Sequence, residues 1–176
     1  MKYLRRLVWF LAGRLLVITL VLSLAVVTFF YAMNLTNIQV VLKDGMAMRA
    51  KVIMMGENAS ELTKYFQSSF IERDTALNTE SPYTDYNVVG IDHRLDMGFF
   101  WTWPWTETVR VDITERIPAI DGRIKSSKAD AAIEERGASA IYPPEWQSAR
   151  YRAVLVKENG QWKIKSLTLI EYLEEE

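Results

Sequence analysis

His93 is the only histidine in the 176-residue chain, so no other imidazole is present to act as an acid or base near neutral pH. It directly follows Asp92, an acidic neighbour that suggests a catalytic pair. On a regular strand, however, adjacent side chains point to opposite faces and would not share a site. The chain has no cysteine, which excludes a disulfide framework, a thiolate metal site and a cysteine nucleophile. We therefore expect His93 to be structural or exposed, and we predict no catalytic residue, cofactor or metal site.

The densest aromatic cluster is the segment FFWTWPW, residues 99–105. On a strand Trp101, Trp103 and Trp105 would share one face. Three interpretations remain open: burial in the core, location at a membrane surface, where Trp is enriched, and contact with a partner protein. Gly98 and Pro104 indicate an interrupted strand, which weakens the burial interpretation. The three Trp side chains are thus the candidate partner-contact residues.

The chain contains one segment of transmembrane character. Residues 15–33, LLVITLVLSLAVVTFFYAM, carry no charge, and as a helix they would extend roughly 28 Å, close to the thickness of a hydrocarbon core. The apolar run reaches back to Leu7, interrupted by Arg14, whose long side chain can reach toward the headgroups. A cleaved signal peptide is the competing interpretation, but its apolar core would be shorter. We predict a transmembrane helix over residues 7–33 that contacts the lipid bilayer.

The charge distribution predicts an orientation. Lys2, Arg5, Arg6 and Arg14 are the only charges in the first 33 residues, and the rest of the chain has an acidic excess. The positive-inside rule therefore predicts a cytoplasmic stub over residues 1–6 and the remainder outside, in a single-pass membrane protein. An acidic outer domain also argues against nucleic-acid binding, which needs a positive footprint.

The segment after the apolar run has two interpretations. Residues 34–57 partly match helical spacing, but Asp44-Gly45 followed by alternating apolar residues also suits a hairpin. We favour a helix, because it would continue the membrane helix. Residues 60–71 then predict one amphipathic helix capped by Asn58 or Ser60, and residues 74–85 predict a loop.

The remaining chain has the alternation of strands. Such segments are residues 86–95, residues 106–117 and residues 150–158, and the last is joined through Asn159-Gly160 to a partner strand over residues 161–170. A short helix is expected at residues 129–136. Helices first and antiparallel strands afterwards predict an α+β domain over residues 58–176.

The amphipathic segment 60–71 and the closing hairpin RAVLVKENGQWKIKSLTL, residues 152–169, resemble the nuclear transport factor 2-like superfamily. Within the hairpin, Gly160-Gln161-Trp162-Lys163-Ile164 matches the Gly-aromatic-Lys-Ile pattern common at the end of that domain. The resemblance implies a helix packed on a curved antiparallel sheet, the cystatin-like cone. Similar domains follow a single membrane anchor in bacterial inner-membrane assembly proteins of type IV secretion and conjugation machines, which implies a bacterial cytoplasmic membrane for this chain.

Enzymes of the superfamily pair a carboxylate with a Tyr or a His in a conical pocket. The resemblance therefore marks Tyr86, Asp92, His93 and Asp112 as candidate pocket residues, although no isomerase motif is present. Two hypotheses follow. The first is a non-enzymatic assembly or scaffold component of a bacterial envelope machine, which contacts other envelope proteins or itself. The second is a small-molecule-binding domain with its pocket in the concave face of the sheet, in which catalysis is not expected.

Overall fold

The chain folds as one long helix followed by short helices and antiparallel strands. The computed structural model describes residues 2–173, so Met1 and residues 174–176 lie outside the description. The elements are α1 (Lys2–Met55), a 3₁₀ helix (Ala59–Lys64), α2 (Ser68–Ile71), α3 (Thr75–Asn78), β1 (Tyr86–Ile91), β2 (Arg94–Met97), β3 (Thr108–Arg116), β4 (Ile120–Ile124), α4 (Ser126–Arg136), a second 3₁₀ helix (Ala138–Ile141), β5 (Ala149–Glu158) and β6 (Gln161–Tyr172). The predicted α+β class is confirmed.

Helix α1 has two parts with different surroundings. Over residues 8–33 no side chain is buried, and this part is long and apolar enough to cross a membrane. From Asn34 onward, one side of the same helix is buried at intervals of three or four residues. This buried stripe contains Ile38, Leu42, Met46, Ala50, Ile53 and Met54. Of the two interpretations of residues 34–55, the helix is therefore the observed one.

The strands form two antiparallel sheets. The larger has the order β2-β3-β5-β6, and the smaller pairs β1 with β4. Strands β5 and β6 join through Asn159 and Gly160, whose φ angles of 51° and 82° are those of a tight hairpin turn. This confirms the hairpin predicted from the Asn-Gly pair.

The first apolar cluster fills the space between α1 and the larger sheet. Ile38, Leu42 and Met46 pack against inward-facing residues of β3, β5 and β6, which are Val109, Val111, Ile113, Ala153, Leu155, Trp162 and Ile164. Strand alternation explains which residues face the helix, since every second residue of β3 from Val109 onward is buried. The inner face of the sheet is thus occupied by the chain's own helix.

A second cluster lies at the carboxyl end of α1. Ala50, Ile53 and Met54 pack there against Tyr86 and Val88 of the smaller sheet, together with Tyr83, Ile117, Ile124, Ala132 and Ala140. Tyr31 and Ala50 are 19 residues apart on one helix, which corresponds to roughly 28 Å along its axis. The smaller sheet therefore lies at the end of the domain that is remote from the apolar segment.

The single helix predicted over residues 60–71 is wrong. It divides into the first 3₁₀ helix and α2 because Phe66 forms a parallel bridge with Ile164. The backbone N–H of Gln67 donates to the carbonyl of Ile164, and the N–H of Ile164 donates to Tyr65. Pairing with the edge of β6 replaces the helical hydrogen bonds here.

Three further boundaries differ from the prediction. The strand expected over residues 86–95 is two strands, β1 and β2, which belong to different sheets. The loop expected over residues 74–85 contains α3, whose first turn is capped by the Asp74 carboxylate accepting from the Ala76 N–H. The short helix expected at residues 129–136 begins earlier, at Ser126.

Gly45 lies inside α1 and allows close packing rather than a turn. A Cβ built there would lie 2.9 Å from Cβ of Tyr65 and 3.2 Å from Cδ1 of Ile164. Gly45→Ala is expected to lower the free energy of unfolding by about 1–3 kcal/mol through overpacking, against a gain of about 1 kcal/mol in helix propensity. Thermal unfolding of the full chain in detergent measures the change. Gly13→Ala is the control, because nothing lies within 4 Å of its Cβ; a stabilised Gly45→Ala variant would contradict the packing argument.

Candidate functional site

The aromatic segment between β2 and β3 forms a loop beside the end of the apolar segment. The ring centroids of Trp101 and Tyr31 are 4.6 Å apart, and Tyr31 lies three residues before Asn34, the first buried residue in the described part of α1. Trp103 contacts Trp101 edge to face at 5.5 Å and stacks on Trp105 at 5.2 Å. The four rings therefore form one continuous row, which we call the aromatic row (Tyr31, Trp101, Trp103 and Trp105).

The loop is held in place by buried polar and apolar contacts. The side-chain amide of Asn34 is buried and donates to the carbonyl of Pro104 at 3.1 Å. Phe100 and Thr102 point inward and are buried. Gly98 lies beside β3, where its N–H donates to the carbonyl of Asp112 at 2.8 Å, and a Cβ there would lie 3.2 Å from that oxygen. The loop therefore keeps a defined position against α1.

The indoles of the aromatic row are not in the core. Trp101, Trp103 and Trp105 are 53%, 47% and 69% exposed, and Phe99 is 92% exposed. The burial interpretation of these side chains is wrong, because their alternation places Phe100 and Thr102 inward instead. The membrane-surface and partner-contact interpretations both require exposed rings and both remain.

A row of polar side chains separates the two apolar clusters. Arg49 lies on the buried stripe of α1 and forms two hydrogen bonds with Asp74, from Nε at 2.6 Å and from Nη2 at 3.1 Å. Both side chains are at least nine-tenths buried. Burial by itself lowers the pKa of Arg49, but the hydrogen bond and charge of Asp74, aided by Glu115, outweigh it and raise the pKa.

The second pair of this polar row joins Glu115 and His93. Nε2 of His93 lies 3.0 Å from Oε1 of Glu115, whose side chain is fully buried. Within residues 2–173, Oε2 of Glu115 has no hydrogen-bond partner. A buried carboxylate oxygen without a protein partner is costly. We call these four residues (Arg49, Asp74, Glu115 and His93) the polar seam.

The four candidate pocket residues lie in separate environments. The Tyr86 hydroxyl donates to the carbonyl of Ala140 inside the second cluster, and Asp92 pairs with Arg94 at the surface. His93 belongs to the polar seam. Asp112 lies on the outer face of β3, where the hydrogen bond from Arg152 lowers its pKa. The structure does not bring these residues together. Asp112 lies on the outer face of β3, whereas His93 contacts Glu115, which lies on the buried face of the same strand.

A cleft opens beside the polar seam. It has a volume of about 580 Å³ and lies between α2–α3 and strands β5–β6, with Arg49, Arg73, Asp74, Tyr151 and Lys165 in its wall. A second cleft of about 460 Å³ shares Arg49 and Tyr151 with it. No group of three or more potential metal ligands occurs among residues 2–173. The arrangement suits binding of a small anion better than proton transfer, because Arg49 and Asp74 are already paired and the other charged residues of the wall, Arg73 and Lys165, are basic.

Arg49, Asp74 and Glu115 were not predicted from the sequence, although two of them carry a signal there. Glu115 has the same parity as the buried residues Val111 and Ile113. Arg49 lies seven residues after Leu42, on the same apolar stripe. A charged residue at a core position requires a buried partner. Asp74 gives no comparable signal, because its burial depends on a tertiary contact.

The buried Tyr83 and the half-buried Tyr151 predict instability at alkaline pH. Burial raises the pKa of Tyr83 and of Tyr151 to about 12, aided for Tyr151 by the charge of Glu115. The unfolded phenols lose their protons near pH 10, so the unfolded state is favoured as the pH rises from about 10 to about 12. The Tyr83→Phe/Tyr151→Phe variant is expected to lose less Tm than wild type between about pH 9 and about pH 11. The exposed control Tyr142→Phe should keep the wild-type slope; equal slopes in all three proteins would contradict this prediction.

In comparisons with known proteins, no family model, curated protein or solved structure matches the chain. Functional inference for this chain therefore depends on the geometry of α1, the aromatic row and the two clefts described above.

Proposed function

We propose that the protein is a non-enzymatic, membrane-anchored assembly component of a bacterial envelope machine. Its N-terminus lies in the cytoplasm, its α+β domain lies outside, and it acts through protein–protein contacts. The observation that carries the proposal is the continuity of α1, which is apolar and exposed over residues 8–33 and is the core helix of the domain from Asn34 onward.

This continuity suits a scaffold. A flexible linker would let the domain move relative to its anchor, whereas a structural subunit must present its surface at a fixed height above the membrane. Here the anchor and the core helix are one element without a linker. A helix packed on the inner face of an antiparallel sheet, closed by the β5–β6 hairpin, also supports membership of the nuclear transport factor 2-like superfamily. Similarity to type IV secretion and conjugation assembly proteins is part of this proposal.

The contact surface we assign is the membrane-distal groove beside β1 and β4. It has a volume of about 740 Å³ and includes Val89, Arg123 and Tyr142. Val89 and Tyr142 are 68% and 61% exposed, so the groove presents two large apolar side chains to solvent. Among the charged residues of the groove wall, the basic Arg123 and Lys125 outnumber the acidic Asp121. The occupant is a segment of a neighbouring subunit that offers apolar side chains flanked by carboxylates.

Site-specific photo-crosslinking in native membranes tests the proposal. A benzophenone amino acid at Val89 of the full-length protein is expected to give discrete adducts with one membrane subunit that also co-purifies in detergent. The control position is Leu169, an exposed apolar residue on β6. Arg123→Glu should abolish the Val89 adduct without unfolding the domain. A chain that extracts as a monomer and gives no adduct from Val89 would overturn the proposal.

The second candidate function is binding of a small anion in the cleft beside the polar seam. It is favoured by Arg73 and Lys165, two basic residues in the wall in addition to the paired Arg49 and Asp74. Thermal unfolding of the full chain with inorganic phosphate and with succinate tests it. Stabilisation that is lost in Arg73→Ala and kept in Arg123→Ala supports this candidate, and no stabilisation by either anion excludes it.

A further inference from the structure

The loop that carries the aromatic row lies at a defined level of α1. Residues 15–33 would fill a hydrocarbon core of about 30 Å, so Tyr31 and Asn34 lie at the boundary between hydrocarbon and water. Trp101 contacts Tyr31, and the Pro104 carbonyl accepts from Asn34. Both contacts join the loop to α1 at this boundary.

We propose that the loop is a second membrane attachment: Phe99, Trp101 and Trp105 enter the headgroup layer of the bilayer that α1 crosses. The inference rests on the membrane-spanning part of the proposed function. It commits to lipid as the occupant because the chemistry fits that layer. Indole rings prefer the membrane interface, where their apolar faces meet acyl chains and their N–H groups meet water and headgroup oxygens.

The exposure of the loop supports the same occupant. Phe99 is 92% exposed and Trp105 is 69% exposed, although the loop is held firmly by Asn34 and by the buried residues Phe100 and Thr102. A fixed loop that presents large apolar side chains to water would be an aggregation liability. In the headgroup layer the same side chains are covered without any rearrangement.

Two attachments have a consequence that one helix cannot provide. A single transmembrane helix allows the outer domain to rotate about the helix axis and to tilt. The loop extends to one side of α1, so its insertion fixes the rotation of the domain and limits its tilt. The membrane-distal groove then faces a constant direction, as assembly with a neighbouring subunit requires.

Lipid quenching of single labelled cysteines tests the inference, and the cysteine-free chain makes each label unique. The NBD fluorophore is attached to Phe99→Cys, to Trp105→Cys, to Leu22→Cys and to Val89→Cys in the full-length protein in phosphatidylcholine vesicles. Leu22 is at the middle of the apolar segment. Val89 is the matched control, because it is similarly exposed but lies at the remote end of the domain.

Doxyl-labelled lipids with the quencher near the headgroup are expected to reduce fluorescence at positions 99 and 105. Lipids with a deep quencher should act mainly at position 22, and position 89 should be unaffected. If position 22 is quenched while position 99 or 105 is not, the loop proposal is overturned and the anchor stands. The fluorophore at position 99 or 105 is also exposed to aqueous iodide in native membranes. If neither lipid nor iodide quenches its fluorescence, a protein covers the loop instead. If position 22 itself is not quenched, the membrane span of the proposed function fails.

A second set of variants separates insertion from folding. Trp101 supports the loop through Tyr31, so its replacement could disturb the structure. Trp105→Ser changes a side chain whose only ring contact among the described residues is with Trp103. Labelled at Phe99→Cys, this variant should show weaker quenching at an unchanged Tm. Unchanged quenching would overturn the contribution of the indole.

Discussion

Arg49→Met is expected to lower the free energy of unfolding by about 3–5 kcal/mol, the usual effect of breaking a buried ion pair. The substitution removes both hydrogen bonds to Asp74 and leaves its carboxylate buried and without its cation. The Met side chain fills much of the same volume. The decrease in the free energy of unfolding is therefore due to the unpaired charge rather than to a cavity.

The measurement is thermal unfolding of the full chain in detergent, followed by the strand signal in circular dichroism. Arg152→Met is the matched control, because Arg152 also binds a carboxylate through two hydrogen bonds, at 2.8 and 3.0 Å to Asp112, but in contact with solvent. We expect little change in the control. Arg49→Met/Asp74→Asn should recover part of the loss, since Asn keeps an oxygen for the α3 cap and removes the charge. Equal changes in Arg49→Met and Arg152→Met would show that burial of the pair is not decisive.

Leu42→Ala is expected to cost about 2–5 kcal/mol, because its side chain is fully buried between α1 and the larger sheet. The neighbouring side chains come from three strands and a helix, and they cannot all move to fill the cavity. The same substitution at Leu20 should leave unfolding of the domain unchanged, since Leu20 is exposed on the apolar part of the same helix.

This pair of variants distinguishes the two parts of α1 by one chemical change. Domain unfolding is followed by the strand signal in circular dichroism, because the six Trp residues of the chain share one fluorescence signal. A comparable loss in both variants would mean that residues 8–33 also pack against protein. A small loss in both would mean that α1 is not the core helix of the domain.

The sequence by itself determined the features that depend on local pattern. Three features could be recognised from neighbouring residues alone. They are the apolar run before Asn34, the alternation in β3 and β5, and the Asn159-Gly160 turn. Hydrophobic periodicity and backbone preference are local properties, so these elements and the α+β class could be predicted. The helix over residues 34–55 was predictable only as one of two alternatives, because Gly45 resembles a turn residue until its contact with Tyr65 is known.

The tertiary structure decided what depends on contacts between distant residues. Phe66 pairs with Ile164, so the amphipathic pattern over residues 60–71 does not become one helix. Asp74 is buried beside Arg49, which reaches it from α1. The residues around Asp74 in the sequence do not predict this ion pair. The indoles of the aromatic row face outward because the loop is fastened to Asn34 and Tyr31, about 70 residues earlier in the chain. Local propensity differs between such alternatives by about 1 kcal/mol or less per residue, whereas burial of one large side chain contributes more, so the long-range contact prevails.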